Sequence, residues 1–208
     1  MQHKKLKEAL EEIRKGEERK FDQTLDLIIN LRAIDLKRDQ VNFIVNVPNK
    51  VKEKRVCAFL TQKSKLVDTI TELEFKKYSE KKELKNLVKN YDYFIAVAPL
   101  MPKVAAAFGK VLGPSGKMPS PQLGIIGQET EKAIKDVLDR IDVAMKIRLK
   151  EPTIKLPVGK FSMDDEKIIE NIRSIYSSVE NNLPKKRDNI KNVLIKFTMG
   201  KPIKTEVM

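Results

Sequence analysis

Apolar residues recur at Leu6, Ala9, Leu10 and Ile13. That i, i+3, i+4, i+7 spacing is one face of an amphipathic helix, which Gly16 is placed to end. Residues 21–31 mix alternation with an apolar cluster and fit either a strand or a short helix-like segment. In VNFIVNV, Val41, Phe43, Val45 and Val47 fall on one side, so a half-buried strand is predicted, closed by Pro48-Asn49. The rhythm then changes. RVCAFL and YFIAVAP are continuous apolar runs and predict fully buried strands. Helical patterns are read around residues 64–71, in SEKKELKNLVKNY, over 102–112 and over 129–141, with a short strand at ELEF and an alternating strand at VAMKIRL. Apolar strands alternating with helices predict a parallel α/β sheet. LGPSGKMPSPQLG, with three glycines and three prolines, is read as a loop.

After Lys150 the rhythm changes again. TIKLPV predicts a strand, closed by a turn at Gly159-Lys160. Ser162 with Asp165 three residues on predicts a capped helix start. The helix is predicted to bury Ile168, Ile169, Ile172, Ile175, Tyr176 and Val179. A basic loop, NLPKKRDN, leads to a last strand, VLIKFT.

Charge narrows the function classes. Forty-two Lys and Arg against 29 Asp and Glu leave +13 over 208 residues. The segments 1–53, 54–149 and 150–208 carry +2, +7 and +4, so the surplus is spread over folded sequence. Such a surplus favours a polyanionic partner. No apolar run reaches the roughly 18 residues of a membrane span, and no membrane partner is expected. The single cysteine, Cys57, lies in an apolar run and reads as a small buried hydrophobe; it cannot form an internal disulfide, which fits a reducing cytoplasm. With His3 the only histidine, Cys/His metal sites and Ser–His–Asp or Cys–His catalysis are not expected. No cofactor is implied.

Four stretches carry candidate chemistry. GKVLGPSGK resembles a phosphate-cradling loop but has Val111 where the first glycine is needed and Met118 where the Mg²⁺-binding hydroxyl is needed. Lys110 and Lys117 remain candidate secondary RNA contacts; an ordinary surface turn is the alternative. Asp164, Asp165 and Glu166 form either an acidic site or a helix first turn, where the macrodipole favours negative charge. PKKRD (184–188) is a solvated loop or a phosphate contact. KFTMGKPIK (196–204) places a neutral Thr198-Met199-Gly200 between Lys196, Lys201 and Lys204. Gly200 allows a backbone conformation barred to other residues and close approach of a ligand. Thr198 offers a hydroxyl, Met199 a polarizable contact, and the lysines attract phosphates. A plain strand-end turn is the alternative.

Taken together, RKFDQTLDL (19–27), APLMPKVAAAFGKVLGPSGKMPSP (98–121), VGKFSMDDEKIIENI (158–172) and KFTMGKP (196–202) resemble the ribosomal protein L-one family, in its order and spacing and most like its archaeal branch. The resemblance runs nearly end to end. It implies an α/β fold of two domains: a discontinuous one from residues 1–53 and 150–208, and an inserted Rossmann-like three-layer one from 54–149, with hinge-like opening between them. It implies a non-enzymatic, ribosome-associated cytoplasmic protein, monomeric when free. Such a protein binds large-subunit rRNA in the mobile stalk beside the tRNA exit site, and exit-site tRNA and its own mRNA are further implied partners. The matching RNA-binding positions are Lys20, Phe21, Thr24, Gly159, Lys160, Thr198, Met199 and Gly200, to which the residue chemistry adds Lys196 and Lys201. Phe21 alternatively reads as core. Ser115 stands where relatives often carry a basic residue.

Overall fold

The computed structural model describes residues 4–16, 20–36, 38–39, 41–78 and 80–207; His3 and Arg19 lie outside them. In chain order its elements are β1 (Lys4–Lys5), α1 (Leu6–Arg14), β2 (Thr24–Leu31), β3 (Asn42–Asn46), β4 (Val56–Leu60), β5 (Asp68–Thr71), α2 (Lys81–Asn90), β6 (Tyr93–Val97), α3 (Met101–Ser115), β7 (Ile125–Ile126), α4 (Glu131–Val143), β8 (Ala144–Arg148), β9 (Thr153–Lys160), α5 (Asp165–Asn182), β10 (Ile190–Phe197) and β11 (Ile203–Glu206). They fall into two compact units, Met1–Lys52 with Val143–Met208, and Glu53–Asp142.

The first unit is built on a five-stranded sheet of order β1-β11-β10-β2-β9. Alternation along β2 and β10 sends Leu25, Leu27, Ile29, Val193, Ile195 and Phe197 to one face. There they share a core with Leu6, Ala9 and Leu10 of α1 and with Ile168, Ile172, Ile175 and Val179 of α5. The pattern at 24–31 is therefore a strand. The opposite face of the sheet carries the half-exposed Asp26, Ile28, Asn30, Leu194 and Lys196. A two-stranded sheet pairs β3 with β8, Asn42 opposite Arg148 and Asn46 opposite Ala144. This pairing brings residues from Val143 onward into the first unit, seven positions before the rhythm change at 150.

The second unit holds a wholly parallel sheet of order β5-β4-β6-β7. Its central strands, β4 and β6, are buried on both faces. Cys57, Phe59, Phe94 and Ala96 face α2 and α3, while Ala58, Leu60, Ile95 and Val97 face α4. The first face is aromatic: Phe59 stacks on Phe94 at 5.7 Å and touches Phe108 at 4.8 Å.

Five local expectations are corrected. Residues 64–67 are irregular and 68–71 form β5, whose Ile70 is buried beside β4. ELEF lies in a 3-10 helix, Glu72–Tyr78, because Phe75 turns edge-on into Phe59 and Phe108. Helix α3 runs through Gly113 and Pro114 to Ser115, held on the sheet by buried Leu112. Gly116, at φ 74°, ends it with Lys117 N–H donating to the Leu112 carbonyl at 3.1 Å, a Schellman closure. Gly159 and Lys160 continue β9. Ser162 does not cap α5; its hydroxyl donates to Asp22 Oδ2 at 2.9 Å, and Asp164 takes the cap position.

Candidate nucleic-acid interface

β2 lies between β10 and β9, and this order assembles three sequence-distant stretches. Leu25 pairs with both Phe197 and Gly159, and Thr24 pairs with Lys160. The segment 20–24, the end of β9 and the turn after β10 therefore meet at one end of the sheet. Gly200 N–H donates to the Phe197 carbonyl at 2.9 Å, closing the turn. Thr198 donates twice to the Thr24 carbonyl, from its amide at 3.0 Å and its hydroxyl at 3.2 Å. Met199 N–H donates to Oε1 of buried Gln23 at 3.3 Å. The turn is thus pinned through its own polar groups, and its apolar side chain is pushed outward. Met199 is 64% exposed and Phe21 is 54% exposed; Phe21 is not core.

The two candidate glycines differ. Gly159 is buried, and a Cβ there would lie 2.8 Å from Ile168 Cγ1 of α5. Its bareness serves helix packing. Gly200 does not have the left-handed backbone expected for it; among the described residues Gly116 is the glycine with positive φ. A Cβ on Gly200 would meet Phe197 atoms at 3.5–3.6 Å, an ordinary contact. What Gly200 contributes is a smooth exposed surface.

The cations divide similarly. Lys20 and Lys201 are exposed, and Lys196 is half-exposed opposite Asp26. Burial raises the Asp26 carboxyl pKa, and the Lys196 charge opposes that rise. Lys160 Nζ lies 3.9 Å from Asp22. The Ser162 hydroxyl and amide, together with Lys160, hold the Asp22 carboxyl below its ordinary value. Lys110 is exposed on α3. Lys117 is committed elsewhere: its ammonium donates to the Val88 and Tyr91 carbonyls, each at 2.7 Å, at the C-terminal end of α2. It neutralises the negative end of that helix. Ser115 donates to the Leu112 carbonyl at 2.9 Å.

Sequence reasoning missed a pocket of about 260 Å³ beside the turn, lined by Ile13, Gln23, Phe161, Phe197, Met199 and Lys201 among others. Phe161 packs on Phe197 at 5.3 Å. Arg14 lies over the Phe161 ring at 5.2 Å and donates to Asp165, to the Phe161 carbonyl and to the Met163 carbonyl at 2.7–2.8 Å. Asp165 is thereby a first-turn residue with an arginine partner. The phenylalanine within VGKFSMDD was the available signal. Among the described residues, no group of His, Cys, Asp and Glu is arranged to hold a metal ion. At the carboxyl edge of the parallel sheet the Thr61 amide donates to Glu129 at 2.6 Å, so a carboxylate takes a donor that a phosphate would need there.

The arrangement is a rigid, largely neutral tip with two exposed apolar side chains and a ring of lysines. Chemically, such a surface is suited to shape-specific contact with sugars and bases and to non-specific attraction of phosphates. Comparison with known proteins agrees with the sequence resemblance. The model of the "Ribosomal protein L1p/L10e family" matches residues 13–201. The chain is 32% identical to "Large ribosomal subunit protein uL1" of Thermococcus kodakarensis, over 97% of each chain. It is 34% identical to the protein of that name from Archaeoglobus fulgidus, over 96% of each. A third, from Methanothermobacter thermautotrophicus, is 33% identical over 93% of this chain and 96% of its own. With all four motif stretches lying within or overlapping the matched span, the chain belongs to the ribosomal protein L1p/L10e family.

Proposed function

We propose that this chain is a constituent of the large ribosomal subunit whose first unit grips a folded element of large-subunit rRNA. The family is a structural, non-enzymatic one. The observation that carries the reading is the Thr198–Gly200 turn. Thr24 and Gln23 take up the Thr198 and Met199 donors, and the turn exposes Met199 at the same end of the sheet as exposed Phe21. The RNA-binding set is Lys20, Phe21, Thr24, Lys160, Lys196, Thr198, Met199, Gly200 and Lys201. Gly159 acts beneath it as a packing residue. In this reading the two compact units are the family's two domains, joined at a hinge near residues 52 and 143. The second extends the stalk towards exit-site tRNA, aiding its release. The free protein is a monomer of the cytoplasm, and the same turn recognises a mimic of the rRNA element on its own mRNA.

The test is binding to a stalk-rRNA hairpin and to a length-matched scrambled RNA across a salt series. A preference of about a thousandfold or more that survives high salt is expected of a site built on shape. Met199→Asp is expected to abolish that preference, while Lys201→Ala weakens both RNAs by similar factors. Equal affinities that collapse together with salt would refute the reading.

A further inference from the structure

A second concentration of positive charge lies where β8 passes into β9. Burying Ile147 in the core leaves Lys146 and Arg148 together on the outward side of β8. Burying Ile154 likewise leaves Thr153 and Lys155 on the outward side of β9. The two strands belong to different sheets, and the bend at 150–152 folds their outward sides into a corner. The corner encloses a pocket of about 230 Å³ lined by Lys146, Arg148, Lys150 and Lys155, with Glu151 as its one carboxylate. Glu151 stands 3.6 Å from Lys155 Nζ, both side chains being well exposed. Arg148 and Lys150 are also exposed. The Lys146 ammonium is held below its ordinary pKa by burial and then by the Arg148 charge, as expected where like charges crowd.

We infer that this β8–β9 corner is a phosphate-binding site that takes phosphodiester oxygens of an RNA strand, separate from the Thr198–Gly200 turn. Arg148 supplies a planar donor fork suited to two oxygens of one phosphate, and the lysines act as point charges around it. β9 sets the separation: Lys160 sits beside Thr24 at the turn end, and Lys155 is five residues along the strand. At about 3.3 Å per residue the corner lies roughly 17 Å from the turn. Lys155 stands opposite Ile28 on the open sheet face that also carries Lys196. The proposal rests on the first unit being an RNA binder. It adds a contact that positions the strand without reading its bases.

The experiment uses the full chain and an R148Q/K155Q variant. The salt dependence of binding is measured on the rRNA hairpin, and amide resonances of residues 146–155 are followed on titration with inorganic phosphate. Each phosphate contact contributes about 0.7–0.9 to the slope of log K against log salt. The variant is expected to lose about 1.4–1.8 from that slope while keeping its preference for the hairpin over scrambled RNA. An unchanged slope would overturn the proposal. So would inorganic phosphate shifting the 146–155 amides while the RNA slope stays unchanged, which would assign the corner to free phosphate. Met199→Asp is measured alongside. Loss of the hairpin preference there tests the turn, and the slope of the R148Q/K155Q variant tests the corner, so either idea can fail alone.

Discussion

The sharpest prediction contrasts two glycines that the family resemblance places in one RNA-binding set. At Gly159 an added methyl would sit 2.8 Å from Ile168 Cγ1. Carbon–carbon contact is favourable at about 3.5–4.0 Å, so the approach is about an ångström too close. Ile168 is fully buried and cannot swing away, so α5 must lift from β9. Overpacking of this kind costs about 1–3 kcal/mol. Neither glycine has a positive φ, so backbone strain adds nothing. At Gly200 the same methyl meets Phe197 at 3.5 Å or more. Gly200→Ala should therefore leave stability unchanged or raise it by about 0.4–1 kcal/mol through the unfolded chain. RNA binding should divide the other way. Gly200→Ala places a methyl on the surface an RNA would touch and should lose at least about tenfold in affinity for the specific hairpin, about 1.4 kcal/mol. Gly159→Ala should bind close to normally at temperatures where it is folded. Urea unfolding followed by circular dichroism gives the first quantity and filter binding the second. If Gly159→Ala is as stable as the parent, or Gly200→Ala unfolds more easily, the assignment of roles is wrong.

Three further outcomes are expected. Lys117→Met should lower stability by about 1–2 kcal/mol, because the last carbonyls of α2 lose a charged donor, and should leave RNA affinity and its salt slope unchanged; a reduced slope would make Lys117 an RNA contact. Asp22 titrates below its ordinary value of 3.8, chiefly because Ser162 donates to it. Its contribution to stability is present above that value and is lost as pH falls through the lower folded value. Carboxyl resonances of a Ser162→Ala variant should show Asp22 titrating closer to 3.8, and no movement would refute the cause given. The Cys57 thiol is pushed up to about 12 by burial and then by the Asp68 charge, so alkylation at pH 8 should proceed only at the rate of unfolding; labelling at the rate of an exposed thiol would contradict the burial of β4.

Most long elements were legible because their period was carried by many residues. α5 spans five turns and buries five of the six positions named from spacing; Tyr176 stays partly exposed. The central parallel strands β4 and β6 were legible as apolar runs because both are covered on both sides. The failures share a cause. β1, β7 and β11 have two to four residues, too few for any periodicity. In ELEF, alternating charge imitated a strand, whereas the deciding interaction is Phe75 against two rings distant in sequence. Proline and glycine in LGPSG suggested a break, yet burial of Leu112 carries α3 past Pro114. At the candidate site, residue types and family likeness named the turn. They could not separate Gly159 from Gly200, because that difference lies in what stands opposite each Cα. Lys117 had the right charge and loop, but its partners are carbonyls 26 and 29 residues away.

The bond from Thr198 to Thr24 joins residues 174 apart, and this has a consequence for the order of events during synthesis. Glu53–Asp142 holds its own sheet and two cores, so it can fold once it clears the exit tunnel. The RNA tip cannot. β2 waits for both β9 and β10, and the Thr198–Gly200 turn follows β10 in the chain. A chain interrupted anywhere before residue 198 would carry a folded middle and an unfinished tip on the first sheet. On the function proposed above, such a chain would have no specific hold on RNA, so binding would follow completion of the first sheet.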